Sequence, residues 1–346
     1  MARRPTIDAL HGRLDDIARV GLTGDAHAAL SDMLSRESSV LVARAARCIA
    51  AQDGVSLRQQ LGAALHRLLE APTSADEQCL AKIALAEAMD SLRAEDADPF
   101  LRGIRHRQME WTFEGRVTRV TPTAADGAEW VSRGGGRTQV DTASPLRAAC
   151  ASALARIGGP TALLAIATLM TDPEAEARVG AARALGHRGG FDAELLLRVK
   201  ASSAEVEPDV TAECLTALMQ TDADRSVAFV ASYLRSADGL LAEAAALALG
   251  ESRAPAALVA LWDHRDSALL APAMGETVLL AIALTRCDEA IAYLLDAIAE
   301  DTPANAALGV AALRIYAHDE GVAANVRAAV RKRDVLLARD ALREHF

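Results

Sequence analysis

Apolar positions along this chain recur with the period of an amphipathic α-helix, and the clearest example is the segment 172–186. Asp172 is placed to accept a hydrogen bond from a first-turn amide, and Gly186 offers the backbone freedom with which a helix ends. Ala184 and Leu185 lie on the apolar face of this predicted helix. Because that face consists of small residues, the pattern predicts a helix that packs closely against a neighbour.

The same pattern recurs along the chain and predicts a repeat. Eight further positions match Leu185, namely Val20, Ile49, Met89, Leu154, Leu218, Leu249, Leu284 and Leu313. A small residue precedes all of these positions except the first, and Gly follows at positions 21, 186 and 250. Most intervals run from 29 to 35 residues, which is the length of a two-helix unit. The 65-residue interval from Met89 to Leu154 indicates an insertion.

The insertion, placed at residues 109–141, differs in composition from the helices around it. Three stretches with β-branched residues predict short strands at 116–121, 129–133 and 137–140. Turn residues separate these stretches, which favours a small hairpin or meander; a disordered loop is the alternative. We expect Trp111, Phe113 and Trp130 to dock the strands on the helices, because so short a sheet has no core of its own.

These patterns predict an all-α fold, a right-handed α-solenoid of about nine helix pairs. Helical repeats are expected at residues 1–108 and again at 142–333, on either side of the β-containing insertion. The last segment, 334–346, is expected to form a helix that caps the array, since an open-ended repeat needs a polar outer face.

Composition agrees with this architecture and narrows the function. Hydrophobic residues make up 51% of the chain but aromatic residues only 3%, which favours close packing of helices. The net charge of −10 and the pI near 5.4 argue against general affinity for nucleic acid or anionic membranes. The sequence has no run of 18 apolar residues and no apolar segment after its basic start, so we expect a cytoplasmic protein. The five cysteines form no Cys-x-x-Cys motif and are expected to be structural thiols.

The segment 172–186 resembles the bacterial HEAT repeats of the phycobilin-lyase type. In that family an Asp in the turn and an Arg near the start of the next helix commonly bond across neighbouring repeats. Asp172, Arg147 and Arg178 match these positions, and Lys82 is a possible substitute for an Arg. The resemblance implies a helical repeat, and it implies no single function, since such repeats occur in scaffolds, lyases and hydroxylases alike.

Enzymatic functions of HEAT-like proteins find little support in the residues. The iron-dependent hydroxylases use His-Glu pairs as ligands, and this chain has no His-Glu dipeptide among its eight scattered histidines. A base-excising enzyme needs a basic surface with aromatic residues, which the acidic net charge disfavours. No tetrapyrrole-binding feature or phosphate-binding loop is present. We therefore expect no catalytic residue, no metal and no cofactor.

The segment from Arg102 to Arg137 carries seven arginines against four acidic residues, which makes it a positively charged island in an acidic chain. The residues expected to contact a partner are Trp111, Arg116, Arg119, Trp130, Arg133 and Arg137. Arg and Trp are over-represented at binding hot spots, although a solvated hairpin with solubilising arginines would have the same composition. The sequence favours a scaffold or adaptor that binds an acidic protein through the concave face of the solenoid and the inserted hairpin. The alternative is an enzyme or enzyme accessory of the lyase or hydroxylase kind, with a DNA-binding glycosylase less favoured.

Overall fold

The fold consists of helices and one pair of strands. The computed structural model describes residues 6–113, 137–267, 270–333 and 335–346, and these contain nineteen α-helices. The first eight are α1 Ile7–Val20, α2 Gly24–Leu34, α3 Ser39–Ala51, α4 Arg58–Glu70, α5 Leu80–Ser91, α6 Asp98–Gly103, α7 Ser144–Ile157 and α8 Pro160–Leu169. The next six are α9 Ala175–Arg188, α10 Phe191–Ala201, α11 Pro208–Thr221, α12 Ala223–Ser232, α13 Gly239–Ser252 and α14 Pro255–Ser267. The last five are α15 Pro272–Leu284, α16 Asp288–Glu300, α17 Pro303–Ala312, α18 Glu320–Arg333 and α19 Leu336–His345. The strands are β1 Met109–Phe113 and β2 Arg137–Asp141.

The chain divides into two compact units, Met1–Ala181 and Ala182–Phe346. In the first unit, alternate helices contact each other: α1 packs on α3, α3 on α5 and α5 on α7. A second set follows the same rule, with α2 on α4 and α4 on α6. Each helix of one set also contacts a sequence neighbour in the other, for example α4 with α5 and α7 with α8. This is the contact pattern of stacked helix pairs.

The second unit repeats the pattern. Helix α11 packs on α13, α13 on α15, and α15 on α17, while α12 contacts α14 and α16 contacts α18. The final helix, α19, packs on both α17 and α18, so it covers the end of the last pair. Across the described residues the helices form nine consecutive pairs followed by α19, and the predicted all-α repeat with a C-terminal helix is confirmed.

The predicted repeat positions are mostly in the core, and two need correction. Leu185, Leu218, Leu249 and Leu313 are fully buried. Val20, however, is 72% exposed at the end of α1, where Ile17 is buried instead. In α15 the buried position is Ile282 rather than the half-buried Leu284. With both corrections the intervals next to these positions become more regular, because only a buried position is held to the repeat length.

Gly186 does not end its helix, contrary to the prediction, and neither does Gly250 at the matching position. Helix α9 continues to Arg188, and α13 continues to Ser252. A Cβ added at Gly186 would lie 2.9 Å from the Cβ of Ala217, and one added at Gly250 would lie 2.3 Å from the carbonyl oxygen of Ala281. These glycines are therefore needed for close approach of the next helix in the same set, not for chain reversal.

The described part of the insertion is an antiparallel strand pair. Met109 pairs with Asp141, and Phe113 pairs with Arg137. The strand predicted at 137–140 is thus present as part of β2, whereas β1 was not predicted. The strands predicted at 116–121 and 129–133 lie outside the described residues. Among the described helices, none has the length and apolar character needed to cross a membrane.

Candidate functional site

An acidic residue followed six positions later by a cation recurs in three consecutive repeats. The pairs are Asp76 with Lys82, Asp141 with Arg147, and Asp172 with Arg178. In each pair the carboxylate precedes a helix and the cation lies within that helix, which is α5, α7 or α9. The sequence analysis identified the three cations and Asp172 but missed Asp76 and Asp141. Their common spacing is the signal that would have found them.

Arg147 is the centre of a buried ionic cluster, with only 1% of its side chain exposed. Its Nη1 donates to Oδ2 of Asp141 at 2.8 Å, and its Nη2 donates to Oδ1 of Asp172 at 2.9 Å. Its Nη1 also donates to the carbonyl oxygen of His106 at 3.0 Å. Arg147 therefore bonds within its own repeat and with the next, as the family resemblance implied for this pair.

Arg107 adds a second guanidinium to the cluster from the hairpin side. Its Nη1 donates to Oδ2 of Asp141 at 3.0 Å, and its Nη2 donates to Oδ2 of Asp172 at 3.0 Å. Unlike Arg147, the Arg107 side chain is 45% exposed. Because Arg107 lies two residues before β1, these bonds fasten the start of the hairpin to the beginnings of two helices.

The pKa of Asp141 reflects this environment. Burial by itself raises the pKa of the carboxyl group, but hydrogen bonds from the backbone amides of Gln108 and Ala143 lower it, and so do Arg107 and Arg147. The net result is a pKa below the ordinary value for an aspartic acid. Asp141 is therefore held as a carboxylate, which is the state that both arginines require.

Gln108 connects the first acid–cation pair to the second. Its side-chain Oε1 accepts a hydrogen bond from Nζ of the fully buried Lys82 at 2.8 Å. Its backbone amide donates to Oδ1 of Asp141 at 3.1 Å. Lys82 also lies 3.5 Å from Oδ2 of Asp76, which is itself fully buried. Gln108, the residue before β1, thus bridges Lys82 and Asp141 through its side chain and its backbone amide.

Glu110 of β1 holds an unusual turn before α5. Its Oε1 accepts hydrogen bonds from the amide of Gln78 at 2.7 Å, from Nε2 of Gln108 at 2.6 Å and from the hydroxyl of Thr142 at 2.9 Å. Gln78 and Cys79 both have left-handed backbones, with φ of 57° and 54°, which is strained for residues other than glycine. Burial raises the pKa of Glu110, but these hydrogen bonds outweigh it and lower the pKa.

The opposite side of the hairpin presents apolar surface. Met109 is 50% exposed and Trp111 is 59% exposed. Successive side chains on a strand point to opposite sides. Since Glu110 points towards the helices, Trp111 points away from them. The expected docking of Trp111 on the helices is therefore wrong, and polar bonds fasten the hairpin instead.

Most of the other residues predicted to bind a partner fall outside the part of the chain that the structure describes. Arg116, Arg119, Trp130 and Arg133 lie outside the described residues, and Arg137 is the first residue of β2, opposite Phe113. The structure brings together a different set at the base of the hairpin, which comprises Arg107, Gln108, Glu110, Asp141 and Arg147. The alternation of polar and apolar residues in Gln-Met-Glu-Trp, at positions 108–111, was the available signal for β1.

A groove lies beside this base, between the end of α6 and helix α8. Its volume is about 460 Å³. The residues that line it include Ile104, Arg105, Arg107, Thr161, Leu164 and Leu169. We call it the Arg105 groove.

Metal ligands and thiols are the groups of the described residues that bear on catalysis. No group of three or more His, Cys, Asp or Glu side chains in the described ranges is arranged to hold a metal ion. Burial raises the pKa of the Cys79 thiol to about 11 and that of Cys214 to about 12, so neither is an activated nucleophile. The carboxylates at the hairpin base already accept hydrogen bonds from arginines and amides.

Comparisons with known proteins identify no family for this chain. No protein-family model and no curated protein matches the sequence. Human deoxyhypusine hydroxylase, solved with glycerol, is 16% identical over 82% of this chain and 91% of its own, with a TM-score of 0.30. An engineered protein is 16% identical over 98% of this chain and 95% of its own, with a TM-score of 0.32. Likenesses this distant carry no argument about activity, and the resemblance to phycobilin-lyase HEAT repeats stays an expectation.

Proposed function

We propose that this chain is a non-catalytic scaffold or adaptor that binds a protein partner with an acidic surface. The inserted hairpin is the principal contact, and the helical repeats hold it in place. The predicted use of a concave helical face stays part of this hypothesis.

The observation that carries the proposal is the contrast between the two sides of the hairpin. On one side, Gln108 and Glu110 are bonded to buried polar groups of the helices. On the other, Met109 and Trp111 are half or more exposed. Clustered exposed apolar residues mark interaction sites, and an anchored strand pair loses little conformational entropy when it binds.

The charge of the segment 102–137 favours one kind of partner. It contains seven arginines and four acidic residues, in a chain of net charge −10. This basic segment favours association with an acidic surface, and the acidic remainder of the chain disfavours contact with nucleic acid. Such an association weakens as salt screens the charges.

The experiment removes the segment between β1 and β2 and leaves both strands in place. Residues 114–136 are replaced by a short Gly-Ser linker, so that β1 and β2 remain. We expect unchanged helicity by circular dichroism and sharply reduced capture of partners from the native host. Capture by the intact protein should fall as salt is raised.

Point variants provide a matched comparison. Trp111→Ser removes an exposed apolar side chain of the hairpin, and Val206→Ser removes one that is 85% exposed elsewhere. Trp111→Ser should reduce capture and Val206→Ser should not. If the linker variant and Trp111→Ser both retain every partner, the hairpin is not the binding element and the proposal fails.

A further inference from the structure

The Arg105 groove has an apolar floor. Ile104 and Leu169 are both 4% exposed and form part of its wall. Leu164, on the outward side of α8, also lines the groove, although 69% of it is exposed. A solvent-exposed leucine beside buried apolar residues gives an incoming apolar side chain a surface to cover. The volume of about 460 Å³ is in the range of small-ligand sites.

The edge of the groove carries positive charge that is available to a ligand. Arg105 is exposed and forms no ion pair or side-chain hydrogen bond with any residue that the structure describes. Arg107 lines the same groove, and its guanidinium is fixed by Asp141 and Asp172 while 45% of the side chain remains exposed. Both of those aspartates are buried and already bonded to Arg107 and Arg147. The net charge presented at the edge is therefore that of Arg105.

We propose that the Arg105 groove binds a short acidic peptide segment that places one apolar side chain against Leu164 and a carboxylate against Arg105. This inference rests on the proposed function, because it assigns part of the partner to a second contact beside the hairpin. An unpaired arginine next to an apolar depression complements a peptide in which acidic and apolar residues are adjacent. A basic or purely polar peptide lacks one or both of these features.

The probes are two sets of short synthetic peptides, each with a fixed central Leu. Every peptide of the first set has at least one Asp or Glu among Ser and Gly at the flanking positions, and every peptide of the second has at least one Lys or Arg among Ser and Gly. Binding to the full-length protein is followed by fluorescence anisotropy. Peptides of the first set should bind, most tightly with a carboxylate adjacent to the Leu, and the second set should not bind.

Three variants locate the site. Arg105→Glu and Leu164→Asp should each weaken the best acidic peptide by about ten-fold or more, since each places a negative charge where the ligand is negative. Arg47→Glu is the control, because Arg47 on α3 is also exposed, has no ion pair with a described residue, and gives the same change in net charge. All three should keep the melting temperature of the parent. The proposal is wrong if no acidic peptide binds, or if Arg47→Glu weakens binding as much as Arg105→Glu.

The linker variant without residues 114–136 separates this inference from the proposed function. If it still binds the acidic peptide but loses its protein partners, both proposals stand. If the parent protein binds no acidic peptide while the linker variant loses its partners, the groove assignment falls and the adaptor function stands. If peptide binding is normal and partner capture survives the linker, the groove stands and the hairpin contact falls.

Discussion

Glycine and alanine set the distance between neighbouring helices of one set. A Cβ at Gly180 in α9 would lie 2.3 Å from the Cβ of Ala148 in α7. The sequence pattern correctly identified a small-residue face that permits close approach, but it assigned Gly186 to a helix end. A glycine after an apolar position is compatible with either role. Only the packing of the next helix distinguishes them, and that is not local to the sequence.

The first prediction compares glycines in two helices. Gly180→Ala should lower the free energy of unfolding by roughly 1–3 kcal/mol, because the added methyl overpacks the contact with Ala148. Gly12→Ala, in α1, meets nothing within 4 Å and should raise it by about 0.5–1 kcal/mol through helix propensity. Urea denaturation followed by circular dichroism measures both. Changes of the same sign would show that α7 and α9 are not in close contact there.

At the scale of elements, the sequence located the insertion but not its anchoring. The long interval between Met89 and Leu154 gave its place, and β-branched residues gave β2. The sequence analysis expected aromatic residues to anchor the strands, whereas Gln108 and Glu110 make the contacts. Polar residues next to a strand look solvent-exposed in a sequence. Whether such residues are buried depends on their contacts with polar and charged groups of helices that are distant in the sequence.

The second prediction concerns the acid sensitivity of this anchoring. The folded pKa of Asp141 is lowered from its ordinary value of 3.8, so its carboxylate stabilises the protein above that value and ceases to do so as the pH falls through the folded pKa. Asp141→Asn should cost roughly 1–3 kcal/mol at neutral pH, since the buried Arg147 loses one of its two carboxylate partners and keeps Asp172. The difference between the parent and the variant should shrink below about pH 4.

Urea titrations at neutral and acidic pH test this, with Asp263→Asn as the control. Asp263 is exposed on α14, and its substitution should change stability by no more than about 0.5 kcal/mol at either pH. A deficit for Asp141→Asn that does not depend on pH would mean that the lost interaction is steric and not ionic.

For the whole molecule, the period of the apolar pattern was sufficient to predict nine helix pairs and a final helix. Each helix pair packs in the same way, so the apolar pattern is repeated along the chain. Single misassigned positions such as Val20 and Leu284 therefore do not change the predicted architecture. The partner-binding surface has no such redundancy. It depends on the one insertion, and the Arg105 groove is formed by residues far apart in sequence, Arg105 and Leu164.

The third prediction separates a scaffold from a metal-dependent enzyme. A ligand that binds the native state raises the melting temperature. A scaffold needs no bound metal. Dialysis against a strong chelator should therefore leave the melting temperature unchanged, and elemental analysis of the purified protein should find no stoichiometric metal. A fall of several degrees on chelation, restored by one added metal, would favour the hydroxylase alternative.

The fourth prediction uses the cysteines to test for a reactive thiol anywhere in the protein. Cys79, Cys150 and Cys214 are fully buried, and burial raises the pKa of each. The thiolate is the reactive form, so all three should be alkylated by iodoacetamide far more slowly than free cysteine at mildly alkaline pH. Cys48 and Cys287 are only partly buried and should be modified before them.

Peptide mapping by mass spectrometry follows each site, with the urea-unfolded chain as the control in which all five cysteines react. Loss of protection for Cys79 without unfolding would show that the left-handed turn held by Glu110 opens in the native protein. A thiol that reacts faster in the folded protein than in urea would be an activated nucleophile. That result would favour the enzymatic alternative over a non-catalytic scaffold, because thiols with lowered pKa values cluster at functional sites.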